Sequence, residues 1–106
     1  MTSDQWGDPA IAGRNVREVP LKALKEVFIP GSGEWTWEQE FSSLWDAEGP
    51  YMLGLMESIK VKGIQTPILL GADGRVWDGH RRLTVATSLD LDMVPVVFSQ
   101  DWEDYE

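Results

Sequence analysis

Between Pro50 and Gly63 the apolar residues Met52, Leu55, Met56 and Ile59 fall at i, i+3, i+4 and i+7, one stripe along a helix. Pro50 suits the first turn of that helix, and Gly63 stands where a left-handed C-terminal cap is wanted. The period then changes. TPILL is a buried-strand candidate, and GADGR after it carries Asp-Gly hairpin chemistry. Val76-Trp77 begins the return strand, which Asp78-Gly79 ends. A second helix is predicted from His80 to about Leu89, with Leu83, Val85, Ala86 and Leu89 inward, and MVPVVF is a last β-branched strand.

Upstream the pattern is weaker. NVREVPLKAL reads as a short strand around Val16–Val19 leading into a turn or helical start. From Ile29 to Pro50 the chain is acidic, aromatic and bounded by Gly and Pro, an insertion with at most one short helix around Trp37–Trp45. The expected organisation is a flexible arm over residues 1–15, one α+β domain over 16–98 with the Trp-rich insertion at 30–50, and an acidic tail over 99–106. Met52, Leu55, Met56 and Ile59 are expected to face one core with Ile68, Leu70, Leu83, Ala86, Val94 and Val96.

Composition narrows the function classes. A chain of 106 residues with 42% apolar content suffices for one small domain with a core. No apolar run approaches the roughly 20 residues that cross a bilayer, and the first residues do not read as a signal peptide. Absence of cysteine removes disulfides, thiolate metal sites and thiol catalysis, so a cytoplasmic protein is expected. Eighteen acidic against nine basic residues, a formal net charge of −9, disfavours nonspecific DNA binding. A local basic site remains able to hold one phosphorylated ligand, because screening confines fields to about 10 Å.

The stretch DGHRR, Asp78 to Arg82, gathers that chemistry at a strand-to-helix junction. Gly79 lets a backbone approach a ligand, and a helix start leaves N–H groups pointing outward beside the positive end of the dipole. Arg81 and Arg82 supply forked donors for phosphate, and His80 a donor or a proton carrier. Asp78 is a candidate base and a candidate Mg2+ ligand. The plainer alternative stays open: Asp-Gly is a common turn, and adjacent helical arginines usually face water.

Residues 57–98 resemble the ParB N-terminal domain and its sulfiredoxin-like relatives. Ser58, Ile59, Gly63, Pro67, Gly79, Arg81, Arg82, Ala86, Val94 and Pro95 follow that pattern in order. The resemblance implies a mixed sheet with helices packed on it, and a nucleotide (CTP, ATP or ADP) with its phosphates at Gly79, His80, Arg81 and Arg82. It also brings in Thr66, which stands where the family carries Gln just before the strand proline, and Gln65, one position earlier. Sulfiredoxins place their catalytic cysteine where His80 stands, so sulfinic-acid reduction is excluded. No DNA-reading helical domain follows in this sequence, so a partition clamp is not expected. The D-G-H-x-R form of the turn is similar to that of phosphotransferases, including kinases for free serine, with Asp78 and His80 as the catalytic candidates and Mg2+ as cofactor. Glu38 and Glu40 are upstream candidates for activating the acceptor hydroxyl.

Two further readings remain at this stage. Trp37, Phe41 and Trp45 at i, i+4 and i+8 form one helical face that packs as core, binds a protein partner together with Trp35, or stacks on a nucleobase. The expected alternative function is therefore a noncatalytic protein-binding accessory module, of the kind phages carry. A ParB-like nuclease or DNA-binding protein is the third, and the charge counts against it.

Overall fold

A computed structural model describes residues 16–99. The expected arm and most of the expected tail, Trp102 and Tyr105 included, lie outside the described residues. The elements are β1 (Arg17–Pro20), α1 (Leu21–Val27), α2 (Trp37–Lys62), β2 (Ile68–Leu70), β3 (Val76–Asp78), α3 (His80–Ser88) and β4 (Met93–Phe98). The α+β expectation holds.

The four strands form one mixed sheet in the order β1-β4-β2-β3. β4 pairs antiparallel with β1 and parallel with β2, and β2 pairs antiparallel with β3. Pro95 on β4 lies opposite Glu18 of β1, one residue before the pairing with β2 begins at Ile68↔Val96, so its missing N–H interrupts at most one ladder. The hairpin forms as its Asp-Gly predicts. Gly74 takes φ +83°, and the Gly74 N–H donates to the Gly71 carbonyl at 3.2 Å. β3 is an edge strand, and Ile29 covers part of it. The Ile29 N–H donates to the Gly74 carbonyl and the Val76 N–H to the Ile29 carbonyl, both at 3.0 Å. This brings Pro30 and Gly31 alongside the hairpin, directly before the chain enters α2.

α2 joins two expected segments into one kinked helix. Thr36 opens it with a capping box: its hydroxyl accepts from the Gln39 N–H (3.1 Å), and the Gln39 side chain accepts from the Thr36 N–H (2.8 Å). The short helix expected around Trp37–Trp45 is its first half, and the helix expected from Pro50 is its second. Glu48, with φ −134° and ψ 32°, is the break between them. Pro50 has no N–H for the carbonyl four residues back and its ring crowds that carbonyl, so the helix kinks in the preceding turn. Gly63 ends α2 with the expected positive φ of 76°, but its ψ of −178° places it in an extended conformation open essentially to glycine alone, and not in the left-handed cap.

The expected single core is two clusters, and α3 explains why. Leu83, Thr84, Val85 and Ala86 are four consecutive buried residues, and at 100° per residue they reach both sides of the helix. Leu83 and Ala86 pack with Leu21, Leu24, Ile68, Leu70, Val76, Val94 and Val96 over the sheet. Val85 packs instead with Met52 and Ile59 of α2, where Leu55 and Met56 are partly buried. The α2 stripe therefore meets α3 and not the sheet. Ile64 and Leu91 touch both clusters and join them.

Candidate functional site

The strand β3 ends at Asp78 and α3 begins at His80, so the DGHRR stretch is the expected strand-to-helix junction. Gly79 is the N-cap, with φ +111°, and no side chain caps this helix end. A Cβ at Gly79 would lie 2.8 Å from Ile68 Cδ1 and 3.2 Å from Arg82 Nη2. Glycine is thus required twice, by the positive φ and by the close approach of β2 and Arg82. The Leu83 N–H makes the first helical bond, to the Gly79 carbonyl (2.9 Å), so the N–H groups before it find no partner within the helix.

This junction forms one wall of a cavity of about 430 Å³. Asp78, Gly79, His80, Arg81 and Arg82 line it from the α3 side, and Gln65 and Thr66 from the loop before β2. Tyr51, Leu55, Ser58 and Ile59 of α2 form the opposite wall. All six residues proposed from sequence as phosphate contacts therefore lie around one space.

The two arginines differ in their setting. Arg82 is largely buried, its side chain 17% exposed, and its Nη1 donates to the Thr66 carbonyl at 3.1 Å while Nη2 lies 3.4 Å from Asp78 Oδ2. Burial pushes the guanidinium below its ordinary pKa, and the Asp78 carboxylate partly offsets that. Arg81 is half exposed and forms a two-pronged pair with Glu48: Nε to Oε1 at 2.6 Å and Nη2 to Oε2 at 2.9 Å. That hydrogen bonding raises Arg81 and holds the Glu48 carboxyl below the usual carboxylate range. The Arg81 guanidinium also stands 5.7 Å from the centre of the Tyr51 ring.

His80 faces the chain behind the cavity as well as the cavity itself. The Gly31 N–H donates to His80 Nε2 at 2.9 Å, which requires a lone pair on that nitrogen and so puts the proton of the neutral ring on Nδ1. Trp37 stands 6.3 Å from the imidazole, ring centre to ring centre, and Thr84 Oγ1 donates to the His80 carbonyl at 2.8 Å. Of its two nitrogens, Nε2 already has a structural task. Asp78 is solvent-exposed, its side chain 72% so, with Arg82 as its neighbour.

The tryptophans divide. Trp37 packs on Phe41 at 5.5 Å, donates from Nε1 to the Phe28 carbonyl at 2.9 Å and joins the sheet-side core; Trp45 packs into the α2–α3 cluster. Core packing is what these two do, and Trp35 alone of the three stays exposed, at 44%. Glu48, Tyr51 and Ser58 are the site residues that sequence reasoning missed. Tyr51, Leu55 and Ser58 at i, i+4 and i+7 carry a legible helical signal; no spacing announces Glu48. Among the described residues there is no group of three or more His, Asp or Glu able to hold a metal ion, and no helix is long and apolar enough to cross a membrane.

No protein-family model matches the chain, and no curated protein matches it. Solved structures do. The fold is similar to that of sulfiredoxin from Arabidopsis thaliana, with a TM-score of 0.55 and 21% identity over 78% of this chain and 82% of that one. It is also similar to a Pnob8-like ParB-N domain, with a TM-score of 0.53 and 17% identity over 79% of this chain, spanning 28% of the length of that chain. At these identities the likeness is one of fold: the chain is a ParB/sulfiredoxin-like domain in architecture, as residues 57–98 led us to expect.

Proposed function

We propose that the cavity between α2 and the start of α3 binds a nucleotide, with Arg82 as the principal phosphate contact. The observation that carries this reading is Arg82 itself. A guanidinium this buried is costly unless its donors are used. It is anchored by the Thr66 carbonyl and paired with Asp78 beside an uncapped helix start, and it lines an open cavity. Backbone N–H groups, the helix dipole and a fixed guanidinium together suit a phosphate group. Likeness of fold to sulfiredoxin and a ParB-N domain supports the same reading.

Phosphoryl transfer or nucleotide hydrolysis is the chemistry we propose at this site. Asp78, exposed at the cavity edge, is the candidate ligand for Mg2+. One carboxylate fits the habit of that ion, which takes few protein ligands and fills its shell with phosphate oxygens and water. Mg2+ would supply charge neutralisation of the phosphate. His80 serves in this scheme as the residue that positions the turn, its Nε2 being held by Gly31.

Titration calorimetry with ATP, ADP and CTP, with and without magnesium, tests the proposal. Arg82→Ala is expected to weaken binding more than about tenfold, from the loss of a charge-assisted contact. Arg75→Ala, on the hairpin, is expected to leave it unchanged. Failure of the folded parent to bind any of them at millimolar concentration would overturn the reading. The protein-binding alternative would then rest on Trp35.

A further inference from the structure

The cavity's own charges cancel. Arg81 and Arg82 line it, Asp78 lies 3.4 Å from Arg82, and Glu48 holds Arg81 through two hydrogen bonds. Two guanidiniums thus face two carboxylates, and the surplus positive potential is that of the α3 N-terminus, worth about half a charge. Such a setting accommodates a small or charge-compensated phosphate group far better than a bare, highly charged polyphosphate.

The two pairs are not equivalent. Arg82 is buried and tied to the Thr66 carbonyl, whereas Arg81 is half exposed on the first turn of α3. Its partner Glu48 sits at the single non-helical residue within α2, carried there by the kink at Pro50. The Tyr51 ring, one turn further along, offers the Arg81 guanidinium a second favourable surface.

Resting on the phosphate-binding reading above, we infer that Glu48 is a specificity-determining residue: by occupying Arg81 it selects against bare polyphosphate and in favour of nucleotides whose phosphate charge is small or neutralised by a cation. A bare polyphosphate must compete with Glu48 for Arg81. A single phosphate group needs only Arg82 and the helix N-terminus. Removing the Glu48 charge frees Arg81, and the gain in affinity falls mainly on the longer anions.

The test uses inorganic phosphate, pyrophosphate and tripolyphosphate as probes, titrated by calorimetry in magnesium-free buffer, with circular dichroism confirming that each variant is folded. In the parent, affinity is expected to rise little from phosphate to tripolyphosphate. Glu48→Gln is expected to gain about tenfold for tripolyphosphate and less than about threefold for phosphate, as one released charge-assisted contact would give. The double variant Glu48→Gln/Arg81→Gln is expected to lose that gain. Glu18→Gln, on the strand at the far edge of the sheet from β3, removes an equal charge and is expected to change neither affinity. An equal gain for all three anions, or a gain that survives in the double variant, overturns the inference. Binding by the parent with no change in Glu48→Gln overturns it alone. Absence of binding by every variant overturns it together with the phosphate-binding reading.

Discussion

His80 and Gly31, 49 residues apart, are joined by a hydrogen bond of 2.9 Å from the Gly31 N–H to the imidazole Nε2. A Cβ at Gly31 would stand 2.8 Å from the Val76 carbonyl and 3.2 Å from the imidazole, so the segment before α2 is held close against β3 and α3. His80→Phe keeps a ring beside Trp37 but leaves that N–H without its acceptor. The expected cost is about 1–3 kcal/mol, read from urea unfolding. Unchanged stability would show that this contact does not hold the segment.

Asp90 carries the unfavourable backbone of the domain. Its φ is +58°, alone among the described non-glycine residues in being positive. The Leu91 N–H donates to the Ala86 carbonyl (3.0 Å) and the Asp90 N–H to the Thr87 carbonyl (3.1 Å), the pair of bonds that closes a helix through a left-handed residue. Asp90→Gly removes the Cβ strain and a negative charge from the negative end of α3, and is expected to stabilise the fold by about 0.5–1 kcal/mol in thermal unfolding. A clear loss of stability would contradict this account.

The phase of α2 is tested by two aspartates. Ile59 is buried against Val85 and Met52, whereas Val61, two residues on, is 79% exposed. Ile59→Asp buries an unpaired charge and is expected to cost more than about 3 kcal/mol. Val61→Asp is expected to stay within about 0.5 kcal/mol of the parent. Similar melting of the two variants would mean that the helix is turned otherwise.

Trp37 and Trp35 should separate in the same way. Trp37→Ala removes the Phe41 stack and the bond to the Phe28 carbonyl, and is expected to cost about 3 kcal/mol in denaturant unfolding. Trp35→Ala is expected to change stability by less than about 0.5 kcal/mol. Equal losses would place Trp35 in the core as well.

Much of the domain was legible from its residues because the signals are local. The Met52–Ile59 spacing, Asp73-Gly74, Gly79 before His80 and the β-branched Met93–Phe98 run each declare a backbone conformation or a period within a few residues, and each lies in an element of the expected kind, although the helix of the first begins at Trp37 and not at Pro50. The place of the anion-site candidates at one helix start was legible for the same reason. Tertiary packing decided the rest. Whether Trp37 and Trp45 turned inward depended on a sheet and a helix that lie far along the chain. That α3 would divide the core followed from its being covered on two sides, which periodicity alone does not register. Glu48 reaches Arg81 across 33 residues, and Gly31 reaches His80 across 49. Contacts of that span carry no local spacing. They exist because Pro50 bends α2 over the start of α3 and because Ile29 pairs along β3, and each depends on the whole domain being folded.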